Sequence, residues 1–442
     1  MANRQIENYK EIFMKFGIAK EIITPPMKTR VACDGGGAFG SDYETVHDDV
    51  YVRMAVIDDG ANKTLLAAFD LLFHSPDLND ALAEYAKEKY GFRPELVIVG
   101  CTHAHTAPAV RGYNPGAENP AYERFIIGRA ESCLDKAMNS MFEGALTYGA
   151  FDAEFNISRR KVVDGKCVFG PAPGHERDTE LAVLAVRDLG GAVRGIVMSY
   201  ACHPVFYPAR RELSAEFPGR VTELLDAKYY GSTALYFQSA GGDVRPADTV
   251  NGDGFRNPTD YKAVDGFANR LAGGVSALID GGSMRPLALE INGRAGTAML
   301  PVEPKELEYF ISEAKQLKAL DARNPNRRNA AEIIKNYAGK PLEVPLRTAL
   351  IRLGGNVYIA AMGGEPTCGV KKVVREALPG CRVFFIGYTD ACAYIVSDAE
   401  LNEGGYEAEC HLEYGHLGPF KPGVDKLYRN KYKELAALIN NE

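Results

Sequence analysis

The sequence predicts an α/β fold of the layered α+β kind, with mixed β-sheets, hairpins and flanking helices. Three observations predict it. Short apolar runs rich in Val, Ile, Phe and Tyr, bounded by Gly or Asp, recur along the chain as strands do. Longer amphipathic segments alternate with them. Glycine pairs at Gly190-Gly191 and Gly354-Gly355 each sit between two apolar runs and read as hairpin turns. Crossovers mixed with hairpins point to packed layers rather than to a pure βαβ repeat.

The strand-like runs are Leu65–Asp70, Leu96–Gly100, Gly195–Ala201, Ala234–Gln238, Thr348–Leu353, Val357–Met362 and Val383–Tyr388. Helical periodicity covers Leu78–Tyr90, Ala121–Met141, Val221–Tyr230, Lys262–Ile279, Pro304–Leu320 and Asp425–Ile439. Pro76-Asp77 and Gly91 supply start and stop signals for the first helix. No Pro/Ser linker separates domains, so residues 1–442 are expected to form one catalytic domain. Asn324–Pro345, the most polar interruption, reads as a helical insertion.

Composition excludes several function classes. A formal net charge of −7 and no basic run give no footprint for nucleic acid or an anionic membrane. No apolar stretch is long enough for a transmembrane helix, so no integral membrane segment is expected. Met1 to Lys15 is polar and lacks the apolar stretch of a secretory signal. Nine scattered cysteines without a C-x-x-C fit reduced thiols in a cytoplasmic setting. The expected partner is a small molecule, and oligomeric state is not legible.

Four sites carry chemistry-bearing residues. In Cys101-Thr102-His103-Ala104-His105-Thr106-Ala107-Pro108 the two histidines follow a strand directly. Side chains two apart in extended chain share a face, about 7 Å apart along it. His103 and His105 then converge on one site, or are two polar loop histidines. Cys101 shares their phase as a rival ligand or a small core residue. In Met198-Ser199-Tyr200-Ala201-Cys202-His203-Pro204 another histidine closes an apolar strand, as a ligand or a hydrogen-bonded structural residue. Glu365 follows a strand and two glycines, and Tyr394 lies beyond a further strand. Taken singly these are a loop carboxylate and a core tyrosine. Taken together, two imidazoles and a carboxylate at strand ends match the donors that zinc accepts.

The ordered motifs resemble those of the neutral/alkaline non-lysosomal ceramidase family, over Gly17 to about Glu409. Phe16-Gly17-Ile18-Ala19 and Ile23-Thr24-Pro25 are similar to its N-terminal strand. Val46-His47-Asp48-Asp49-Val50-Tyr51-Val52-Arg53 and Phe69-Asp70 follow in the expected order. Thr102-His103-Ala104-His105-Thr106-Ala107-Pro108 and Ala201-Cys202-His203-Pro204 match the family's two histidine motifs. Ser214-Ala215-Glu216-Phe217-Pro218-Gly219, Gly242-Asp243-Val244, Gly364-Glu365-Pro366-Thr367, Tyr394-Ile395 and Gly405-Tyr406-Glu407 complete the set. The resemblance implies the family's catalytic-domain fold and one Zn2+ per chain, held by His103, His203, Glu365 and Tyr394. It also implies that His105 stands beside the metal and that Arg159 lines the site. The family's serine in G-D-V-S-P is replaced by Arg245, and the chain ends before the C-terminal β-domain of true ceramidases.

The expected function is therefore that of a zinc-dependent hydrolase whose metal-activated water attacks an amide- or ester-type carbonyl of a small polar substrate, not ceramide. His105 would shuttle a proton or donate to an oxyanion. Asp243 would orient a ligand or the water. Arg245 would bind an anionic or polyoxygenated part of the substrate. Two alternatives remain open: a zinc hydrolase that opens a lactone or cyclic β-diketone in sugar or polyol breakdown, and a catalytically silent zinc-binding protein. No G-x-S-x-G elbow occurs, and Ser239 reads as a loop serine.

Overall fold

The computed structural model describes residues 14–33, 39–110, 119–207, 211–258, 260–320 and 324–441. The polar opening stretch, except Met14 and Lys15, lies outside them. Two sheets face each other, and helices cover both outer faces.

The first sheet holds β1 (Met14–Ile22), β2 (Tyr51–Asp58), β3 (Lys63–Phe69), β4 (Val97–Cys101), β5 (Phe142–Asp152), β6 (Glu180–Asp188), β7 (Val193–Tyr200) and β8 (Thr233–Gln238). Their order is β8-β7-β6-β5-β1-β2-β3-β4, and a ninth short strand, Arg285–Pro286, pairs with β5. Only the terminal pairs, β3–β4 and β7–β8, run parallel. The second sheet is β9 (Asn292–Pro301), β10 (Glu343–Gly354), β11 (Val357–Met362) and β12 (Arg382–Ile386), with β11 and β12 parallel. The hairpins at Gly190-Gly191 and Gly354-Gly355 join β6 to β7 and β10 to β11.

The sequence pattern explains the layers. Along β3, Leu66 and Ala68 enter the core between the sheets, while Leu65, Ala67 and Phe69 face the helices. Both phases are apolar because both faces are covered, so these strands read as continuous apolar runs. On the outer side of the first sheet lie α1 (Pro76–Tyr90), α2 (Pro120–Asn139), α3 (Glu216–Lys228) and α4 (Lys262–Asp280). Ser75 caps α1 by accepting from Leu78 N at 3.2 Å, and Gly91 ends it at φ 69°, where a side chain would be strained.

Over the second sheet lie α5 (Leu307–Gln316), α6 (Pro325–Lys335), α7 (Cys368–Ala377) and α8 (Val424–Asn440). The polar Asn324–Pro345 segment is α-helical in α6, whose Ala330 and Ile333 are buried, takes a 3-10 turn at Tyr337–Gly339, and from Glu343 enters β10. The helix α7 is too short for its periodicity to stand out in the sequence. Among the described residues, no helix is long and apolar enough to cross a membrane. None of the nine cysteines forms a disulfide.

Topology places the site. Parallel register pairs Phe69 with Cys101 and Tyr200 with Gln238, so the loops after β3 and β4, and after β7 and β8, leave at the same edge in each pair. Backbone bonds from Cys101 N to Tyr388 O (3.2 Å) and from Gly387 N to Gln238 O (2.9 Å) bring the exit of β12 to the same place. Carboxyl ends of parallel strands are the usual location of ligand sites in open sheets.

Candidate metal centre

His103 is the second residue of the loop after β4 and does not continue the strand. Its φ is 65°, an uncommon left-handed conformation outside glycine. The strand alternation expected for His103 and His105 therefore does not apply. A turn brings them together instead, with ring centroids 4.8 Å apart.

Backbone carbonyls fix both ligand-type imidazoles. His103 Nδ1 lies 3.0 Å from Leu72 O, and His203 Nδ1 lies 2.8 Å from Gly241 O. A carbonyl only accepts, so each Nδ1 carries the hydrogen and each Nε2 presents a bare lone pair. The two Nε2 atoms are 3.1 Å apart. Glu365 Oε2 sits 3.1 Å from His103 Nε2 and 3.3 Å from His203 Nε2. Burial pushes His203 down to about 4, with Arg159 adding to the effect, so its ring is neutral at neutral pH.

Two imidazole Nε2 atoms and a carboxylate oxygen thus converge, each able to offer an electron pair. Glu365 Oε2 is buried without a hydrogen-bond partner, while Oε1 accepts from Tyr414. Such a cluster is repulsive unless a cation fills it. For zinc bonds of about 2.0–2.1 Å, the edges of a tetrahedron are roughly 3.3 Å, so the donor set fits such an ion.

Tyr394 reaches the cluster through a local pairing. Glu365–Pro366 and Tyr394–Ile395 form a two-strand parallel ribbon in which Glu365 and Tyr394 are direct partners. The phenol oxygen is 3.4 Å from His203 Nε2 and accepts from Arg159 Nη2 at 3.0 Å. Arg159 is held by its Nε donating to Glu407 Oε1 at 2.7 Å, and Arg160 donates to the other oxygen of that carboxylate at 2.8 Å.

His105 stands beside this group. One ligand atom from each of His103, His105 and His203 lies within 4.8 Å of the others. Its Nδ1 shares a short hydrogen bond with Tyr207 OH, and its Nε2 is buried without a partner. Burial, followed by His103 and His203, holds its pKa well below the usual imidazole value. Tyr207 is positioned by its own N–H, which donates to the buried Glu216 carboxyl at 3.2 Å.

The predicted residues do not all meet. Arg159, Arg245, His103, His105, His203, Glu365 and Tyr394 line one cavity of about 360 Å3. Asp243 does not. Its carboxylate accepts from Cys368 N at 3.0 Å, at the start of α7, and its main-chain oxygen accepts from Arg159 N at 2.8 Å. Gly242 explains this path, since a Cβ there would lie 2.7 Å from Glu365 O. The chain passes Glu365 closely, and the next side chain turns towards α7. Cys101 is packed in the α1–α2 side of the core, and Ser239 donates to Asp178 at 3.2 Å. A larger hollow of about 470 Å3 beside α1 assembles no cluster of metal-ligating side chains among the described residues.

Sequence reasoning missed Tyr207, Glu413 and Tyr414. It noted Tyr406 and Glu407 only as a trailing motif, although Tyr406 lines the cavity and Glu407 fixes Arg159. All of these lie on loops or short helices with no strand-end signal.

No protein-family model matches the chain. Two solved structures have a similar fold. A ceramidase complexed with C2 superposes with a TM-score of 0.74 at 17% identity, covering 97% of this chain and 76% of that one. Neutral ceramidase from Pseudomonas aeruginosa gives a TM-score of 0.72 at 17% identity, covering 97% and 75%. The mixed sheets and flanking helices described above are thus those of the ceramidase fold, with a buried histidine group able to bind a metal at its strand ends.

Proposed function

We propose that this chain is a hydrolase using one zinc ion per chain, acting on a carbonyl of a small polar substrate. The observation that carries the reading is the meeting of two bare imidazole nitrogens and an unpartnered carboxylate oxygen at 3.1–3.3 Å on the wall of a 360 Å3 cavity. His103, His203, Glu365 and Tyr394 are the ligands in this account. Zinc bound there supplies Lewis acidity, which polarises a carbonyl and brings the pKa of water from about 15.7 to about 7. A cytoplasmic setting agrees with nine cysteines outside any disulfide.

The chain's own residues do the remaining work. His105 is neutral and offers an unpartnered Nε2 to the cavity side of the cluster. It takes a proton there while Nδ1–H donates to Tyr207, and the phenol can equally donate back when the proton leaves. Arg159, anchored by Glu407, keeps positive charge on the Tyr394 oxygen. Asp243 acts at one remove in this scheme, holding the Arg159 main chain. Arg245 occupies cavity wall where the resembling family has serine, so that serine's role does not carry over and a bulky cation stands in its place.

The test is turnover by zinc-loaded protein against small amides, esters, lactones and cyclic β-diketones, with ceramide alongside. Hydrolysis of a small polar member without comparable ceramide turnover is expected. Full metal content with no turnover on any class would identify a silent metal-binding protein instead.

A further inference from the structure

Arg245 is a buried cation without a counter-ion. It is 8% exposed, yet its hydrogen bonds go to neutral oxygens: Thr249 Oγ1 at 3.3 Å and Asn257 Oδ1 at 3.3 Å. The Phe255 ring lies 4.4 Å from the guanidinium carbon. Among the described residues, no carboxylate comes within ion-pair distance of it. The other three buried arginines differ: Arg159 and Arg160 share Glu407, Arg160 also meets Glu403 at 3.1 Å, and Arg53 meets Asp226 at 3.4 Å. Of the four buried arginines only Arg245 has no carboxylate partner among the described residues, and a buried charge is normally paired.

The nearby acids do not supply the missing charge. Glu216 accepts from the main chain at Phe206 and Tyr207, and burial pushes its pKa up to about 8 even though those bonds and Arg245 draw it down. Glu413 accepts from Tyr406 OH at 2.8 Å, and burial alone pushes it up to about 7. No cation holds it down, so it is not the partner of Arg245. Burial, then Arg159, lowers Arg245 itself to about 10, which leaves it charged at neutral pH.

The donors point to a ligand. Arg245 presents a planar fork suited to two oxygens of one anion. Asn257, whose Oδ1 is used by Arg245, keeps its amide hydrogens for the same ligand. Both residues line the cavity that holds the metal cluster, and its volume is near the small end of ligand pockets, about 300–1,000 Å3. We infer that Arg245 and Asn257 form an oxyanion subsite, so that the substrate is a compact carbonyl compound bearing its own carboxylate or phosphate. This rests on the hydrolase reading above.

Calorimetric titration of the zinc-loaded full chain tests it, using succinate, inorganic phosphate and neutral succinamide as probes. Wild type should bind at least one anion about tenfold or more tighter than Arg245→Gln, with succinamide indifferent to the change. Stronger binding of succinate or of phosphate tells which oxyanion the subsite takes. Arg245→Lys should fall between the two, and Asn257→Asp, which gives Arg245 an internal partner, should also weaken the anion about tenfold. Zinc content measured on every sample separates this question from the metal reading, because loss of zinc in wild type would undermine only the latter. Anion affinities equal in wild type, Arg245→Gln and Asn257→Asp at equal zinc content would overturn the subsite, as would zinc-loaded wild type binding neither anion.

Discussion

Arg159 Nη2 donates to the Tyr394 phenol oxygen across 3.0 Å, joining residues 235 positions apart. The bond makes the phenol oxygen an acceptor and aims it at His203 Nε2, 3.4 Å away. Burial raises the phenol's pKa well above its ordinary value, and Arg159 opposes that rise. A cation at the cluster would oppose it further.

Tyr394→Phe keeps the ring and removes only this oxygen. If Tyr394 merely fills the core, the variant leaves one guanidinium hydrogen unsatisfied, at about 1–3 kcal/mol, and keeps its metal and its rate. The ligand role instead predicts that folding survives while zinc affinity or turnover falls about tenfold or more. Competition with a chelator measures the affinity, and thermal unfolding measures the fold.

Tyr207→Phe tests the proton path. His105 Nδ1 loses its hydrogen-bond partner there, and the ring is no longer held. Turnover should fall roughly tenfold to a hundredfold, because positioned acid–base groups contribute about 10²–10⁴. KM and zinc content should stay near wild type, and the pH–rate profile should shift. An unchanged profile and rate would leave Tyr207 a packing residue.

How far the site was legible follows from these residues. His103, His203 and Glu365 end apolar runs, so motif position found them. Strand alternation predicts that His103 and His105 meet, whereas a positive-φ turn is responsible. Asp243 sits in a recognisable motif, but its direction depends on the close passage of Gly242 over Glu365, which no local pattern encodes. Tyr207 lies 102 positions from His105, and Glu407 lies 248 from Arg159, so only the folded sheets bring these partners together. The strands β3, β4, β7, β8, β10, β11 and β12 were legible because both faces of each layer are covered with apolar residues. The boundaries, the strands β2, β5, β6 and β9 and the short helix α7 were not, since caps and tertiary contacts set them.

Glu216→Gln addresses stability against pH. Burial raises this carboxyl to about 8 in the folded chain, against the usual value near 4.3 unfolded. The folded state then binds the proton more tightly, so stability is greatest at acid pH and is lost as pH rises through about 8. The loss is on the order of 5 kcal/mol, since each tenfold change in proton affinity is worth about 1.4 kcal/mol. Glutamine cannot ionise, so the variant should lose about 1 kcal/mol at pH 5 from its poorer acceptor set, yet show a flatter decline up to about pH 8.5. Denaturant unfolding at a series of pH values reads both slopes. Parallel curves would mean that Glu216 does not hold its proton.

The central claim is that the bare nitrogens of His103 and His203 hold a metal ion. Elemental analysis of purified protein, wild type against His103→Ala/His203→Ala, tests it most directly. The account predicts about one zinc per wild-type chain and nearly none in a double variant that remains folded by circular dichroism. Zinc retained undiminished in that variant would contradict it.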